Sequence, residues 1–204
     1  RAEVVAADVQ SLNPDSAMAV SGNAAAWTIE PQLPLKVGAI RRYAPAEGQG
    51  APAARVDVFA GGSASLVIAV DAKSPRFDDV QATCDLPVDV TFHRLATIPV
   101  YSGATVDGEV QGDLIETRYD AMVPLDYALD PDSADGIHLI VATITPDQRT
   151  TPGVHRGEVT LRFADRAIVL PVELGMSSLT INPKAHFDSI VGIDSFFLKP
   201  RKGV

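Results

Sequence analysis

Along much of this chain, apolar and polar positions alternate with a period of two. In GEVTLRFA, Val159, Leu161 and Phe163 point one way, and Glu158, Thr160 and Arg162 point the other. A strand turns each successive side chain to the opposite face, so this pattern predicts a strand with one face in the core. RVDVFA sets Val56, Val58 and Ala60 against Asp57 and Phe59, and VDVTFHR sets Val88, Val90 and Phe92 against Asp89, Thr91 and His93. GIHLIVATI and AIVLPVEL are continuous apolar runs, which predicts strands covered on both faces or central in a sheet. Pro171 interrupts the second run. With no N–H to donate, it predicts a strand edge or a bulge there.

Turn chemistry separates these segments at short intervals: AGGS (60–63), KSPRFD (73–78), SGAT (102–105), DPDSADG (130–136) and TPGVHRG (151–157). Many short strands at such spacing predict an all-β fold, an antiparallel β-sandwich of Ig-like or jelly-roll-like type. No stretch longer than about ten residues keeps a period near 3.6, so little helix is expected. EGQGAPAAR (47–55) has the composition of a loop within the domain. The sandwich is expected over about residues 1–176. Residues 177–204 read as a connecting tail towards a missing catalytic domain or partner, and Phe196, Phe197 and Leu198 near its end form an apolar cluster suited to an interface.

Composition narrows the partners. The 204 residues are 46% hydrophobic and 21% charged, which suits a globular core and not a charge-driven disordered chain. Fifteen Pro and fifteen Gly fit frequent turns. A net charge of −9 argues against a nucleic acid or an anionic membrane as partner, because both repel such a surface. The acids are mostly Asp, which suits turns better than helices. No run of 18 apolar residues occurs, so no transmembrane helix is expected. Cys84 is the only cysteine, which rules out an intrachain disulfide. It shares a strand face with Val80 and Ala82 and reads as a structural thiol. The chain starts at Arg1 without Met, as expected of a processed or excised segment.

Candidate chemistry is sparse. His93, His138, His155 and His186 show no HxxxH or HExxH spacing, so each reads as structural or surface. Asp130, Asp132 and Asp135 crowd hard-oxygen ligands into DPDSADG, but Ala134 stands at the fifth position, Gly136 falls one place late and no Glu closes the loop. An Asx-turn accounts for them, with a calcium site of another type left open. No GxSxG, P-loop or dinucleotide glycine pattern is present, and no cofactor is implied. Glycoside chemistry needs two carboxylates facing a cleft, and no pair can be nominated. Aromatic platforms for sugar stacking are sought among Trp27, Tyr43, Tyr101, Tyr119 and Tyr127, with Trp27, Tyr101 and Tyr119 as the candidate sugar contacts, although a core role competes for each.

The order of the segments adds a family resemblance. ARVDVFAGGSASLVIAVDA (54–72), RFDDVQATCDLPVDVTFHRLATIPVY (76–101), GDLIETRYDAMVPLDY (112–127) and GIHLIVATITPDQRTTPGVHRGEVTLRFADRAIVLPVELG (136–175) follow one another. Together they resemble the N-terminal β-sandwich of family-123-like glycoside hydrolases and of related barrel-bearing proteins of unassigned function. PGVHRGEVTL is the most specific piece and reads as a structural corner, with His155 and Arg156 exposed at the bend. The chain departs from the family pattern in AGGSAS, which lacks the usual acid. It departs again at His155, where an aromatic is usual, and at His138 or Leu139, where Trp is usual. In that family an adjacent Asp-Glu pair in the following barrel is catalytic, and this chain has no such dipeptide. The resemblance therefore implies a non-catalytic accessory domain of a larger, exported bacterial enzyme, extracellular or periplasmic. Its partners would be the barrel of the same protein and carbohydrate. A freestanding binding or assembly module is the alternative.

Overall fold

The computed structural model describes residues 16–22, 24–30, 33–46, 50–71, 80–102, 105–106, 109–110, 112–126, 136–147, 149–163 and 166–180. The strands are β1 (Met18–Ser21), β2 (Ala24–Ile29), β3 (Ala54–Ala60), β4 (Ala64–Asp71), β5 (Gln81–Cys84) and β6 (Asp89–Tyr101). They continue as β7 (Thr105–Val106), β8 (Glu109–Val110), β9 (Leu114–Pro124), β10 (Ile137–Thr145), β11 (Gly153–Phe163) and β12 (Arg166–Thr180). One short 3-10 helix, Ile40–Tyr43, is the helical element among the described residues. Six strands form one sheet in the order β1-β2-β4-β10-β6-β9, and four form a second in the order β3-β12-β11-β5. The small β7–β8 hairpin stands apart from both. This is the all-β fold that the alternation predicts. Every strand pair is antiparallel except β3 with β12, which run parallel.

The two sheets close on one apolar layer. Ile68 and Val70 of β4 and Ile140, Ala142 and Ile144 of β10 meet Val159 and Leu161 of β11 and Leu170 and Leu174 of β12. All nine of these side chains are fully buried, so the period-two pattern here is the inner face of the sandwich. The short links AGGS and TPDQRTTPG carry the chain from one sheet to the other. Gly61 takes a positive φ of 78°, where a side chain would be strained. In the second link the Asp147 carboxylate accepts the Arg149 N–H at 3.1 Å, and the Thr150 N–H bonds the Asp147 carbonyl.

The six-stranded sheet is covered on its other face as well. Residues 33–46, including the 3-10 helix, lay Leu33, Leu35, Val37, Ile40 and Tyr43 over Trp27, Ile29, Ala69, Leu139 and Tyr119. Backbone bonds Val37 N–H to Thr117 O and Tyr119 N–H to Leu35 O seal this cover along the outer edge of β9. Ion pairs hold it: Arg41 to the buried Asp71, and Lys36 to Glu116 at 2.5 Å. Because both faces are covered, β4 and β10 contain long apolar runs, as GIHLIVATI implied.

AIVLPVEL takes the second of the two settings that its apolar run predicts. It is central in the four-stranded sheet, yet only Ile168, Leu170, Val172 and Leu174 are buried, whereas Val169 and Pro171 face outward. Its apolar outward residues hide a one-sided strand. Pro171 pairs with Glu158 of β11, and the register with β3 begins one residue later, at Val172 opposite Ala54. It therefore has a strand neighbour on one side only, and its missing N–H is accommodated there. β12 runs on to Thr180, past the boundary expected near 176.

Candidate functional site on the outer face of the four-stranded sheet

The outer face of the four-stranded sheet is laid out by register. Val154 of β11, Gly175 of β12 and Asp57 of β3 stand side by side, and Ser177 stands beside Phe59. Even-numbered residues of β12 enter the core, so Gly175 and Ser177 turn outward. Gly175 has no side chain, and the face dips between its neighbours. The result is an open hollow of about 410 Å³, with Asp57, Phe59, Gly153, Val154 and Ser177 around the Gly175 floor. Gly153 enters the strand at a φ of 136°, a conformation that glycine adopts without strain.

The rim combines an aromatic ring with polar groups. Phe59 is 47% exposed and Val154 59%, so both present apolar surface to solvent. The Asp57 carboxylate lies over Gly175 and pairs with Arg55 at 3.4 Å. Ser177 Oγ accepts the Leu179 N–H at 3.1 Å, which leaves its hydroxyl hydrogen free to donate elsewhere. One row along, Arg156 pairs with Glu173 at 3.1 Å. Arg55, beside the hollow, offsets the charge of Asp57. Such an arrangement can hold a ligand by stacking and hydrogen bonding.

The sequence-derived candidates fall elsewhere. Trp27 and Tyr119 are 2% and 4% exposed, closed in beneath the 33–46 cover. The Tyr119 hydroxyl is used to donate to the Ile137 carbonyl at 3.0 Å. Neither ring has a face for a sugar. Tyr43 is buried in the same layer, and its hydroxyl donates to the Pro34 carbonyl. Tyr101 is 38% exposed at the end of β6, beside Leu114 and distant in the fold from the hollow. Tyr127, the acids Asp130, Asp132 and Asp135, and the apolar cluster Phe196, Phe197 and Leu198 lie outside the described residues, as does His186.

The bend at Pro152–Gly157 is shorter than expected. The corner ends by Gly153, and His155 and Arg156 already belong to β11, paired with Leu174 and Glu173. Arg156 is exposed, but His155 is half-buried because its position in the alternation turns it towards the inner face. Its Nε2 lies 2.7 Å from the Thr151 carbonyl, which only accepts, so Nε2 carries the hydrogen. This bond ties the strand back to the loop. Gly157 is required for another reason: the chain at Asp85 and Leu86 packs directly over it. Cys84 is half-buried against the core with Ala82, and burial raises its thiol pKa above the ordinary value. No group of three or more potential metal-ligating side chains comes together among the described residues.

Phe59 is the functional candidate that sequence reasoning passed over. Its signal was present in RVDVFA, where an aromatic holds an outward position opposite Val56 and Val58. The hollow itself needed the register with β12 to appear.

No protein-family model matches the chain, and no curated protein matches it. A solved structure of a family 123 glycoside hydrolase from Clostridium perfringens, described for glycolipid glycan hydrolysis, is similar in fold. The TM-score is 0.53 at 8% identity, over 78% of this chain and 28% of that one. The chain thus spans less than a third of that hydrolase, and the two share an all-β fold across the overlapping part.

Proposed function

We propose that this chain is a non-catalytic accessory β-sandwich of a larger bacterial carbohydrate-active enzyme of glycoside hydrolase type. In this reading it buttresses the catalytic barrel of the same polypeptide and works outside the cell or in the periplasm. The observation that carries the reading is the fold likeness to one part of a glycoside hydrolase chain. The order of segments over 54–175 supports the same assignment. The chemistry belongs to the barrel, and the sandwich supplies a rigid wall, which its two filled core layers suit.

The test is the mass and activity of the native polypeptide isolated from its source. A product well above 21.5 kDa that carries a hydrolase domain, with no glycosidase activity from this chain alone, is the expected result. A native product of 21.5 kDa, or hydrolysis of aryl glycosides by the isolated chain, overturns it. The alternative, a freestanding binding or assembly module, draws on the exposed apolar residues Phe59, Val154, Val169 and Leu179. Self-association through that face in sedimentation, together with a native mass equal to this chain's, is the outcome that favours it.

A further inference from the structure

We propose that the hollow over Gly175 is a binding site for a neutral pyranose sugar. Its place in the molecule follows from Phe59, Asp57 and Gly175, and its ligand class rests on the carbohydrate reading above. A pyranose has one apolar face of C–H groups and a rim of hydroxyls. The exposed ring of Phe59 offers the matching flat surface, and aromatic rings bury such faces at small entropic cost. Asp57 accepts from ring hydroxyls, and the Ser177 hydroxyl hydrogen is free to donate to them.

The charge balance selects the sugar type. Asp57 is the one charged side chain of the lining, and Arg55 beside the hollow offsets its charge. The chain as a whole carries −9, which repels acidic sugars and phosphates. The absent side chain at Gly175 lets the Asp57 carboxylate lie close over the strand at the edge of the hollow. A methyl group there would occupy the floor and collide with the Asp57 carboxylate. A volume of about 410 Å³ falls in the range of roughly 300–1,000 Å³ usual for small-molecule sites. The site is open, so binding is weak.

The experiment is a nuclear magnetic resonance titration of the isotopically labelled 204-residue chain with methyl β-glucopyranoside and, separately, methyl β-galactopyranoside. The expected result is saturable shifts of the Val154, Gly175 and Ser177 amides with at least one of the two glycosides. Phe59→Ala, at an exposed position, keeps the melting temperature and weakens binding by about tenfold or more. Gly175→Ala, which pushes the Asp57 carboxylate aside and leaves Phe59 in place, weakens it too. Leu114→Ala, on the far ribbon, changes nothing. No concerted shift with either glycoside, shifts centred on Tyr101, or wild-type binding by Phe59→Ala overturns the proposal. Loss of binding together with a native polypeptide that carries a hydrolase domain refutes the hollow alone. Binding by a chain whose native mass is 21.5 kDa refutes the accessory role and leaves the hollow standing.

Discussion

Gly157→Ala is a sharp test of how the corner of the four-stranded sheet is packed. An added methyl would lie 2.5 Å from Asp85 Oδ1, 3.0 Å from Leu86 Cδ2 and 3.1 Å from Leu86 Cγ. Leu86 is 5% exposed and belongs to the layer between the sheets, so it cannot retreat without disturbing its neighbours. Asp85 accepts the Glu158 N–H at 2.5 Å, and turning it away forfeits a bond of about 1 kcal/mol. Overpacking a filled site costs about 1–3 kcal/mol. The restricted unfolded chain returns roughly 0.4–1 kcal/mol. The net expectation is a loss of about 2 kcal/mol, or about 4–8 °C in melting temperature for a chain of this size.

Gly175→Ala is the control. Its methyl meets the end of Asp57, an exposed side chain that can swing aside, and beyond that only Val56 O at 3.8 Å. The expected change is below about 0.5 kcal/mol in either direction. Urea unfolding followed by the fluorescence of Trp27, the only tryptophan and a core residue, reports both variants. Equal losses in the two, or a neutral Gly157→Ala, would refute the argument that a buried close approach holds glycine at 157.

Three further outcomes are expected. Leu161→Ala, at a fully buried position between the sheets, should lose about 2–5 kcal/mol in the same urea experiment, since it opens a cavity in the shared core. Glu116 has its pKa lowered, chiefly by the Lys36 hydrogen bond, with desolvation opposing and Arg118 adding to the lowering. A depressed folded-state value means that its stabilisation is present above the ordinary glutamate pKa and fades as pH falls through the lower, folded value. Melting curves of the wild type and Glu116→Gln should therefore differ at neutral pH and converge in acid. Cys84 has its thiol pKa raised by burial, so a disulfide reagent should modify it more slowly in the folded chain at pH 7 than in urea. Equal rates would show that the thiol is open to solvent.

The strands were legible where one face meets solvent, because there the alternation is unmasked. GEVTLRFA and RVDVFA are read from their letters alone, and Val159, Leu161 and Val56 are buried as expected. AIVLPVEL is central in its sheet, as its run allows, but Val169 and Pro171 are apolar yet outward, so composition conceals that one face alone is buried. Two of the three aromatic candidates are hidden for a different reason. Trp27 and Tyr119 are sealed by residues 33–46, a segment that forms no strand and leaves no periodic trace. A ring in a sequence shows that something flat is needed, and only the covering segment shows whether water reaches it. The hollow needed a cross-strand register between residues more than a hundred positions apart, which no local pattern encodes.

That register also sets a timetable for folding. β3 is made early, yet among the described residues its strand partner is β12, the last described strand, with Val172 reaching back to Ala54. On the ribosome, the pairing edge of β3 must wait until β12 emerges. During that wait its hydrophobic edge is open to mispairing, and long-range closure of this kind is slow. A chain truncated at Phe163 would keep every strand of the six-stranded sheet and lose β12, the strand that joins β3 to β11 in the facing sheet. Synthesis from the N-terminus thus leaves the sandwich open until almost its last described residues, a window in which a chaperone has most to protect.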